Sequence, residues 1–495
     1  MEVYSTIQGL VQGAVSAGLI QKEDQLYARN QVLAHLRLDS FPEAVPAIPE
    51  KDLPDLVEEL TNYAVQQGLI PDVLDEKEIL SSKIMNVFIS KPSEVNQTFF
   101  EKFVRDPQIA TNYFYRLSQC SNYIQTKRIA KNIHYKAETA YGELDITINL
   151  SKPEKDPKQI ALEKESKLTD IHYPKCQLCI ENEGYAGRIG HPARSNHRMI
   201  RMEMSGEDWY LQYSPYVYYN EHCIVLAGEH RDMVINRETF VRLLDFVGKF
   251  PHYFIGSNAD LPIVGGSILT HDHYQGGNYE FAMAIAEEEH VFTIKNFPGV
   301  HAATVKWPMS VIRLQGETPE KLVAAADYIF EAWKNYSDPE VEIVAYSGKT
   351  RHNTITPIAR RRNDEYELDL VLRNNRTTEQ YPLGIFHPHP DVHHIKKENI
   401  GLIEVMGLAV LPARLKTELA EVEKFLLNKE NDIPPYHIAW AEEIKKHHSN
   451  LNEETVNKII QKEVGRKFLR VLEDAGVFKR NQQGQQAFQR FLTTL

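Results

Sequence analysis

The sequence predicts an α+β protein with a helical region at each end and alternating strands and helices between them. Near the N-terminus, apolar residues recur at three- and four-residue spacing, which is typical of a buried helix face: Leu53, Leu56, Val57, Leu60 and Ala64. A second helical stripe lies near the C-terminus: Val456, Ile460, Val464, Phe468, Val471 and Leu472. Between them, apolar and polar residues alternate in YGELDITINL, which indicates a strand: Leu144, Ile146, Ile148 and Leu150.

The elements follow from these patterns in chain order. Residues 1–125 form the predicted helical N-terminal region, and Gly68 ends the helix that contains Leu53. Residues 126–300 form a first α+β half, in which YVYYN, HCIVLAG and IVGGSILTHDHYQ are predicted strands and RETFVRLLDFVGKF a predicted helix. The charged stretch SKPEKDPKQIALEKESK is predicted to be a solvated linker or an exposed helix.

A similar mixture recurs in residues 301–425, which we interpret as a second, related half. KWPMSVIRL and YELDLVLR are predicted strands, and EKLVAAADYIFEAWKNY is a predicted helix between them. Residues 426–495 form the predicted helical C-terminal region. The basic run Arg360, Arg361 and Arg362 is predicted to be a solvated turn just before a strand, with a phosphate clamp as the alternative.

Composition excludes several classes of function. The formal net charge is −12 over 495 residues, which argues against a nucleic-acid or anionic-membrane surface, because both need a dense basic field. No apolar segment approaches the roughly 20 residues that span a bilayer. MEVYSTIQGL does not have the pattern of a signal peptide, and four cysteines are too few for a disulfide scaffold. We therefore expect a cytoplasmic protein.

The stretch GGSILTHDHYQGG carries the strongest chemical signal. If residues 268–275 form a strand, His271, His273 and Gln275 project to one face, because side chains two apart share a face. The flanking glycines allow a ligand to approach closely, and backbone amides in such a loop suit a phosphate. A neutral imidazole beside a phosphoanhydride can attack phosphorus and form a covalent intermediate. The alternative is that both histidines are simply polar surface residues.

Gln275 favours group transfer over hydrolysis. Its amide can donate a hydrogen bond to a phosphoryl oxygen but cannot shuttle protons, whereas a histidine there could activate water. The second signal is CQLC, with Cys176 and Cys179, which is half of a zinc site or a redox pair. The surrounding sequence does not resemble a thioredoxin-like unit, and His230 and His271 are candidates for the remaining zinc ligands.

HDHYQ, CQLC, GEHRD, YYNEHCIVL and KENIGLIEVMGLAVLP together resemble the galactose-1-phosphate uridylyltransferase family, in its longer variety with an extra N-terminal helical region. This family belongs to the histidine-triad superfamily. The resemblance covers most of residues 125–425 and implies duplicated histidine-triad-like halves with mainly antiparallel sheet. It implies an exchange in which UDP-glucose transfers its uridylyl group to a histidine, and galactose 1-phosphate then accepts that group to give UDP-galactose.

The family's motif implies roles for particular residues. His273 would be the nucleophile, and Gln275 would bind the transferred phosphoryl group. A structural zinc ion would be held by four ligands: Cys176, Cys179, His230 and His271. The carbonyl of His271 could accept a ring N–H from His273 and so set its tautomer. Contacts to uridine or phosphate are expected from a further set: Asn220, Glu221, Asn258, Gly266 and Ser267.

The chain also departs from the shorter members of the family. His352 matches one histidine of their second metal site, but LDLVLR at 368–373 lacks the histidine pair, which argues against a second metal here. FHPHPDVHH is interpreted as a loop that gathers phosphate or sugar contacts. For the RxxR pair that binds phosphates in the shorter members, Arg128 and Lys131 in TKRIAKN are the best match, with a solvated basic helix face as the alternative. Family precedent suggests a homodimer.

Two other functions remain open at this level. One is a phosphorylase or hydrolase of dinucleoside polyphosphates within the same superfamily. The other is a nucleotide-binding protein without catalytic activity, in which replacement of His273 would change only stability. Labelling of the chain by UDP-glucose separates these from uridylyl transfer.

Overall fold

The computed structural model describes residues 2–46, 51–151, 172–266 and 268–495. The described chain divides into two units. The first consists of Met1–Lys131, Ser151–Val217 and Glu221–His230, and the second of Asn132–Leu150, Tyr218–Asn220 and Arg231–Leu495. Part of the predicted charged linker, residues 152–167, lies outside the described residues, as does Ser267.

Helices form the N-terminal part of the first unit, as the sequence predicts for residues 1–125. They are α1 (Glu2–Ser16), α2 (Gln25–His35), α3 (Leu53–Gln66), α4 (Leu74–Asn86), α5 (Pro92–Phe103), α6 (Pro107–Cys120) and the short α7 (Thr126–Ile129). In α3 the residues at helical spacing are buried, from Leu56 to Ala64, and Gly68 ends the helix with a φ of 67°. At the start of α6, the Asp106 carboxylate accepts a hydrogen bond of 2.6 Å from the Gln108 amide.

The three strands of the first unit form an antiparallel meander. They are β3 (Ile200–Met204), β4 (Glu207–Tyr213) and β5 (Cys223–Ala227), in the order β3-β4-β5. Leu211 lies opposite Ile200 on one side and Val225 on the other, and all three side chains are fully buried. The predicted strand HCIVLAG is therefore confirmed as β5.

Seven strands of the second unit form antiparallel neighbours in the order β7-β6-β13-β14-β10-β9-β8. Their bounds are β6 (Phe254–Gly256), β7 (His273–Gly277), β8 (Glu288–Phe292), β9 (His301–Val305), β10 (Val311–Gly316), β13 (Asn353–Arg362) and β14 (Glu365–Asn374). The prediction of a mainly antiparallel α+β fold is confirmed.

A smaller sheet of the second unit has the order β1-β2-β15. Its strands are β1 (Ile133–Thr139), β2 (Gly142–Ile148) and β15 (Leu408–Leu411), with β15 parallel to β2. A two-stranded ribbon joins β11 (Tyr346–Ser347) to β12 (Thr350–Arg351). The predicted strand YGELDITINL is confirmed as β2. Both faces of this strand are buried, because Asp145 and Thr147 are buried like the apolar residues that alternate with them. Asp145 tolerates this position because its carboxylate accepts a hydrogen bond of 2.8 Å from the Tyr279 hydroxyl.

The helices of the second unit include all three helical segments that the sequence predicts here. They are α8 (Arg237–Lys249), α9 (Ala282–Ile285), α10 (Pro319–Asn335), α11 (Leu402–Val405), α12 (Leu415–Leu426), α13 (Pro435–His447), α14 (Val456–Ala475) and α15 (Gln482–Leu492). The predicted C-terminal stripe lies in α14, where every member is buried. These residues join the large core that contains the β1-β2-β15 sheet. In the part of the chain that the structure describes, no helix is long and apolar enough to cross a membrane.

One strand prediction is wrong, and another is right only in part. YVYYN forms bends and a turn at residues 216–220, and Glu221 directly after it has a φ of 56°, which a strand residue does not adopt. The first five residues of KWPMSVIRL also lie outside β10, which begins at Val311. Apolar and aromatic content alone cannot distinguish a strand from a buried turn.

Candidate active site

The segment that contains HDHYQ is shorter as a strand than the sequence predicts. Residues 263–266 and 268–272 form turns and irregular backbone, and β7 begins only at His273. His273 and Gln275 are therefore two apart on one strand and share a face, whereas His271 precedes the strand. The prediction that all three side chains share a strand face is wrong for His271.

Backbone hydrogen bonds hold the irregular segment in place. The amide of Met233 donates to the carbonyl of Leu269 at 2.9 Å, and the amide of Asp272 donates to the carbonyl of Arg231 at 2.7 Å. The Asp272 carboxylate also faces the Arg231 guanidinium at 3.4 Å. These bonds fix the approach to β7 without a regular ladder, and the contacts of Asp272 give it a structural role.

His273 is oriented by the backbone of His271. Its Nδ1 lies 2.7 Å from the carbonyl oxygen of His271, a separation at which the ring N–H donates to that carbonyl. This is the contact that the sequence analysis expected. Since the carbonyl can only accept, Nδ1 carries the hydrogen and Nε2 carries the lone pair.

Burial keeps the His273 ring neutral. The side chain is 5% exposed, and burial lowers the pKa of His273 to about 4. A neutral ring with its lone pair on Nε2 is the form in which histidine acts as a nucleophile. The side chain therefore has the protonation state that attack on phosphorus needs.

The glycines that precede the histidines serve packing within the chain. A Cβ on Gly265 would lie 2.4 Å from the carbonyl oxygen of Ala259 and 2.7 Å from that of Leu261. A Cβ on Gly266 would lie 2.7 Å from Nδ2 of Asn258. The sequence analysis assigned these glycines to close approach of a ligand, but the nearest neighbours in the structure are backbone and side-chain atoms of residues 258–261.

Asn258, which the sequence analysis expected to contact a ligand, is a buried residue that connects two segments of the chain. It follows β6, and its Oδ1 accepts a hydrogen bond of 2.9 Å from the amide of Leu402 at the start of α11. Its Nδ2 faces the backbone of Gly266. Asn258 thus links the loop after β6 to the predicted KENIGLIEVMGLAVLP motif.

Asn220 and Glu221 lie in the turn where a strand was expected. Nδ2 of Asn220 donates to the carbonyl of Asn278 at 3.2 Å, and the hydroxyl of Tyr219 donates to the carbonyl of Gly276 at 3.1 Å. Both acceptors belong to β7 or the residue that follows it. The Asn220 side chain is exposed, whereas Glu221 is buried with a left-handed backbone. Tyr219 was not identified from the sequence, because nothing in YVYYN distinguishes its three tyrosines.

The predicted zinc ligands form a cluster. The sulfur atoms of Cys176 and Cys179 lie 3.3 Å apart, and Sγ of Cys179 lies 3.1 Å from Nδ1 of His230. With His271, these residues place four candidate ligand atoms within 4.8 Å of one another. The donor set of two thiols and two imidazoles is the one that tetrahedral zinc uses, so the residues fit a metal ion.

The surroundings of the cysteines also suit a cation. Nδ2 of Asn182 donates to the carbonyls of both Cys176 and Cys179 at 2.8 Å, which fixes the CxxC turn. Burial, together with the neighbouring Cys176 thiol, raises the pKa of Cys179 to about 12. Two thiolates this close repel each other, and a bound cation would remove that penalty.

His352, two histidines of the loop FHPHPDVHH and Arg360 form hydrogen bonds or ion pairs within the protein. His352 has Asn375 Oδ1 at 2.9 Å and Ser347 Oγ at 2.8 Å from its two ring nitrogens. In the loop FHPHPDVHH, His387 bonds to Asn399 and His393 bonds to the carbonyl of Pro388. The expected solvated turn at Arg360 is wrong, because Arg360 lies in β13, is 6% exposed and pairs with Glu367 and Asp369.

The sequence analysis missed this buried ion cluster. Arg313 on β10 makes a two-pronged contact with the Asp369 carboxylate, at 2.8 and 3.0 Å, and Arg360 pairs with the same carboxylate at 2.8 Å. The register places Arg313 and Ile358 on either side of Asp369. Alternation in YELDLVLR could have shown that Glu367 and Asp369 share a face, but not that arginines from two neighbouring strands meet it.

Comparison with known proteins identifies related sequences. Residues 18–232 match the family model for the N-terminal domain of galactose-1-phosphate uridyl transferase, and residues 246–442 match that for its C-terminal domain. The chain is 55% identical over 472 residues to the galactose-1-phosphate uridylyltransferase of Streptococcus mutans, with 95% of each chain covered. It is 53% identical over 495 residues to the enzyme of that name from Clostridium acetobutylicum, with 99% of each covered.

Among solved structures, the crystal structure of yeast Ap4A phosphorylase Apa2 aligns with 67% of this chain and 90% of that chain. The TM-score is 0.35 and the sequence identity 12%. A similarity this low supports no inference about this protein.

Proposed function

Because the chain belongs to the galactose-1-phosphate uridyl transferase family, we propose that it moves a uridylyl group from UDP-glucose to galactose 1-phosphate through a covalent intermediate on His273. The observation that carries this proposal is the 2.7 Å contact between Nδ1 of His273 and the carbonyl of His271. It leaves Nε2 as the nitrogen with a free lone pair on a buried, neutral ring.

In the first half of the reaction, Nε2 of His273 attacks the α-phosphorus of UDP-glucose. The N–P bond forms as the bond between that phosphorus and the bridging oxygen breaks, and glucose 1-phosphate leaves with the electron pair. The positive charge that develops on the ring is shared with the Nδ1–H, which the carbonyl of His271 already accepts. No proton needs to move in this step.

In the second half, a phosphate oxygen of galactose 1-phosphate attacks the same phosphorus. The N–P bond breaks, UDP-galactose forms, and His273 recovers its neutral state. Each displacement has one nucleophile and one leaving group of similar kind, so the two steps are chemically alike. This symmetry suits an enzyme that works in both directions.

Gln275 would hold the phosphoryl oxygens during both steps. It lies two residues after His273 on β7 and shares its face. Its amide can donate a hydrogen bond to an oxygen of the uridylyl group, but it cannot take a proton from water. The intermediate is therefore expected to persist until a sugar phosphate arrives.

Substrate contacts are proposed for the turn and loops beside β7. Asn220 and Glu221 would contact the ribose or uracil, and Asn258, Gly266 and Ser267 would lie beside the phosphates. The support for Asn220 is its exposed side chain, held to the residue after β7 through the Asn278 carbonyl. The support for Asn258 is its position against Gly266, which lies seven residues before His273 in the chain.

A structural zinc ion is proposed for Cys176, Cys179, His230 and His271. With four protein ligands, zinc would keep no open position and would act by cross-linking the chain. His271 would then be fixed on one side by its ring and on the other by the hydrogen bond from His273. We also propose a cytoplasmic location, since all four cysteines are free thiols.

The proposal is tested by incubating the protein with UDP-glucose labelled in the uridine moiety, without an acceptor. We expect stoichiometric release of glucose 1-phosphate and label that stays with the protein, is acid-labile, and is discharged by galactose 1-phosphate. His273→Ala should abolish all three results. His301→Ala, a half-exposed histidine paired with Glu288, is the control and should retain them.

Other outcomes would point elsewhere. Steady release of UMP without labelled protein would indicate a hydrolase. Turnover of diadenosine tetraphosphate without any requirement for galactose 1-phosphate would indicate the dinucleoside polyphosphate enzyme. Full activity of His273→Ala would exclude the proposed nucleophile.

A further inference from the structure

A polar cavity of about 320 Å³ lies within the first unit. Residues of α3 and α4 form one wall, and α7 with the loops near residues 194 and 216 forms the rest. Its volume is at the lower end of the range of small-molecule sites. Amide and hydroxyl side chains line much of it, including Thr61, Asn62 and Asn122.

The acidic side chains of the cavity are already neutralised. Glu58 forms an ion pair with Lys127, which also pairs with Asp55. Glu78 accepts a hydrogen bond of 2.7 Å from Arg128, which in turn contacts the hydroxyl of Tyr216 at 3.3 Å. The carboxylates therefore do not repel an anion as free charges would.

Two cations of the lining remain without a carboxylate. Within the described ranges, neither Lys131 nor Arg194 has an acidic group at ion-pair distance. Arg194 lies 5.5 Å from the centre of the Tyr123 ring and makes one long hydrogen bond, of 3.3 Å, to the carbonyl of Ala193. Most of its five N–H donors are thus available to a ligand.

A buried hydroxyl provides a second, independent sign of a ligand. Ser82 lines the cavity from α4 and is 5% exposed, and its Oγ has no hydrogen-bond partner. A buried polar atom without a partner is costly unless something else satisfies it. Rotation of the Ser82 side chain would let an oxygen-rich ligand in the cavity supply that partner.

We propose that this cavity binds a phosphate monoester with a small hydroxylated skeleton, at a site separate from the uridylyl-transfer residues. Arg194 and Lys131 would contact the phosphate, because guanidinium and ammonium groups form strong charge-assisted hydrogen bonds with it. Ser82, Thr61 and the two asparagines would contact the hydroxyl groups. From the sequence, Arg128 and Lys131 were candidate phosphate ligands for the transferred group. In the structure Arg128 forms an ion pair with Glu78. Arg194 was not recognised from the sequence as a phosphate ligand.

The test is equilibrium binding of glucose 6-phosphate to the full chain at fixed ionic strength, measured by isothermal titration calorimetry. This probe has no phosphate on its anomeric carbon and so cannot replace the acceptor. We expect one site in the parent protein and in His273→Ala. Arg194→Gln and the exposed Lys131→Gln should each weaken binding about tenfold or more. Lys416→Gln, an exposed cation of α12, is the matched control and should bind as the parent does.

Several results would overturn the proposal. These are unchanged affinity in both Arg194→Gln and Lys131→Gln, loss of binding in His273→Ala, or equal weakening in Lys416→Gln. Binding of inorganic phosphate without binding of glucose 6-phosphate would contradict the hydroxylated skeleton. Circular dichroism and thermal unfolding of each variant show whether a loss reflects misfolding, and Lys131→Gln carries the test if Arg194→Gln does not fold.

Discussion

At the scale of single residues, the proposed chemistry depends on the orientation and protonation of the His273 imidazole. His273 is buried, which keeps its ring neutral, and its Nδ1–H donates to a backbone carbonyl, which leaves the lone pair on Nε2. The partner is a main-chain atom, so no side-chain substitution removes it directly. This makes the orientation of the ring a property of the backbone between His271 and His273.

Gln275, two positions later, is proposed to protect the intermediate from water. Replacing Gln275 with histidine supplies a group that can accept a proton from water. We expect Gln275→His to release UMP steadily from UDP-glucose, with a lower yield of UDP-galactose. Chromatography of the nucleotides measures both products.

Gln275→Ala is the matched control for that change. It removes the amide without adding a base, so transfer should slow while UMP release stays at the parent level. If Gln275→His forms no more UMP than Gln275→Ala, the amide does not protect the intermediate in the way proposed.

At the scale of elements, β7 depends on the loop that precedes it. Gly265 permits a close approach to the backbone after β6, where a Cβ would lie 2.4 Å from a carbonyl oxygen. Backbone cannot move aside as the end of a flexible side chain can. The loop and the start of β7 are therefore expected to shift together when this position changes.

Gly265→Ala should lower the free energy of unfolding by about 1–3 kcal/mol, as overpacking does. It should also reduce the rate of uridylyl transfer. Denaturant unfolding and a transfer assay measure the two effects. Gly299→Ala is the control, because the nearest atom to its Cβ would be the flexible end of Lys321 at 3.8 Å. Equal losses of stability and of transfer rate in the two variants would contradict this role of Gly265.

The ion cluster ties together β10, β13 and β14. Burial alone would raise the pKa of Asp369, but Arg313 and Arg360 more than offset burial and hold its pKa at about 2. Asp369→Asn leaves two buried cations short of a partner and should destabilise the fold by about 3–5 kcal/mol. Asp364→Asn, an exposed change in the turn between β13 and β14, should alter stability by less than about 0.5 kcal/mol.

The same carboxylate gives a pH dependence of defined sign. Its folded pKa lies below the ordinary value of 3.8, so its contribution is fully present above that value and is lost as pH falls through about 2. The difference in unfolding free energy between the parent and Asp369→Asn should be constant from pH 7 to 5. It should shrink below about pH 4, and a difference that grows with acidity would contradict the ion pairing.

At the scale of the whole molecule, a metal ion would stabilise the chain through residues far apart in sequence. We expect about one zinc ion per chain by elemental analysis. Cys176→Ser should lose the metal and lower the melting temperature, and a chelator should do the same to the parent protein. Cys120→Ser, at the end of α6, is the control and should keep both. Retention of zinc by Cys176→Ser would exclude the proposed ligand set.

Much of the fold could be predicted from the sequence because long amphipathic patterns determine it. The buried stripe of α14, the helix α10 and the strand β14 follow directly from spacing. The errors lie where tertiary contacts decide. Residues 263–266 and 268–272 are apolar and glycine-rich enough to suggest a strand, but isolated backbone contacts hold them instead: Leu269 with Met233, Asp272 with Arg231 and Gly265 with Ala259.

The candidate site shows the same division. HDHYQ and CQLC could be recognised because the chemistry needs those residue types close together in the chain. Tyr219, Arg194 and the pairing of Arg313 with Asp369 could not, since each depends on neighbours far away in sequence. Arg360 was interpreted as solvated because a basic run usually is, and only the register with β14 shows its buried partners.

The most direct test of the central claim is peptide mapping by mass spectrometry after the protein has reacted with UDP-glucose and been quenched at neutral or alkaline pH. Our account predicts a uridylyl adduct on the peptide that contains His273, attached to that ring and removed by brief acid treatment. A protein that turns over substrate while this peptide stays unmodified, or carries the adduct on His271, would contradict it.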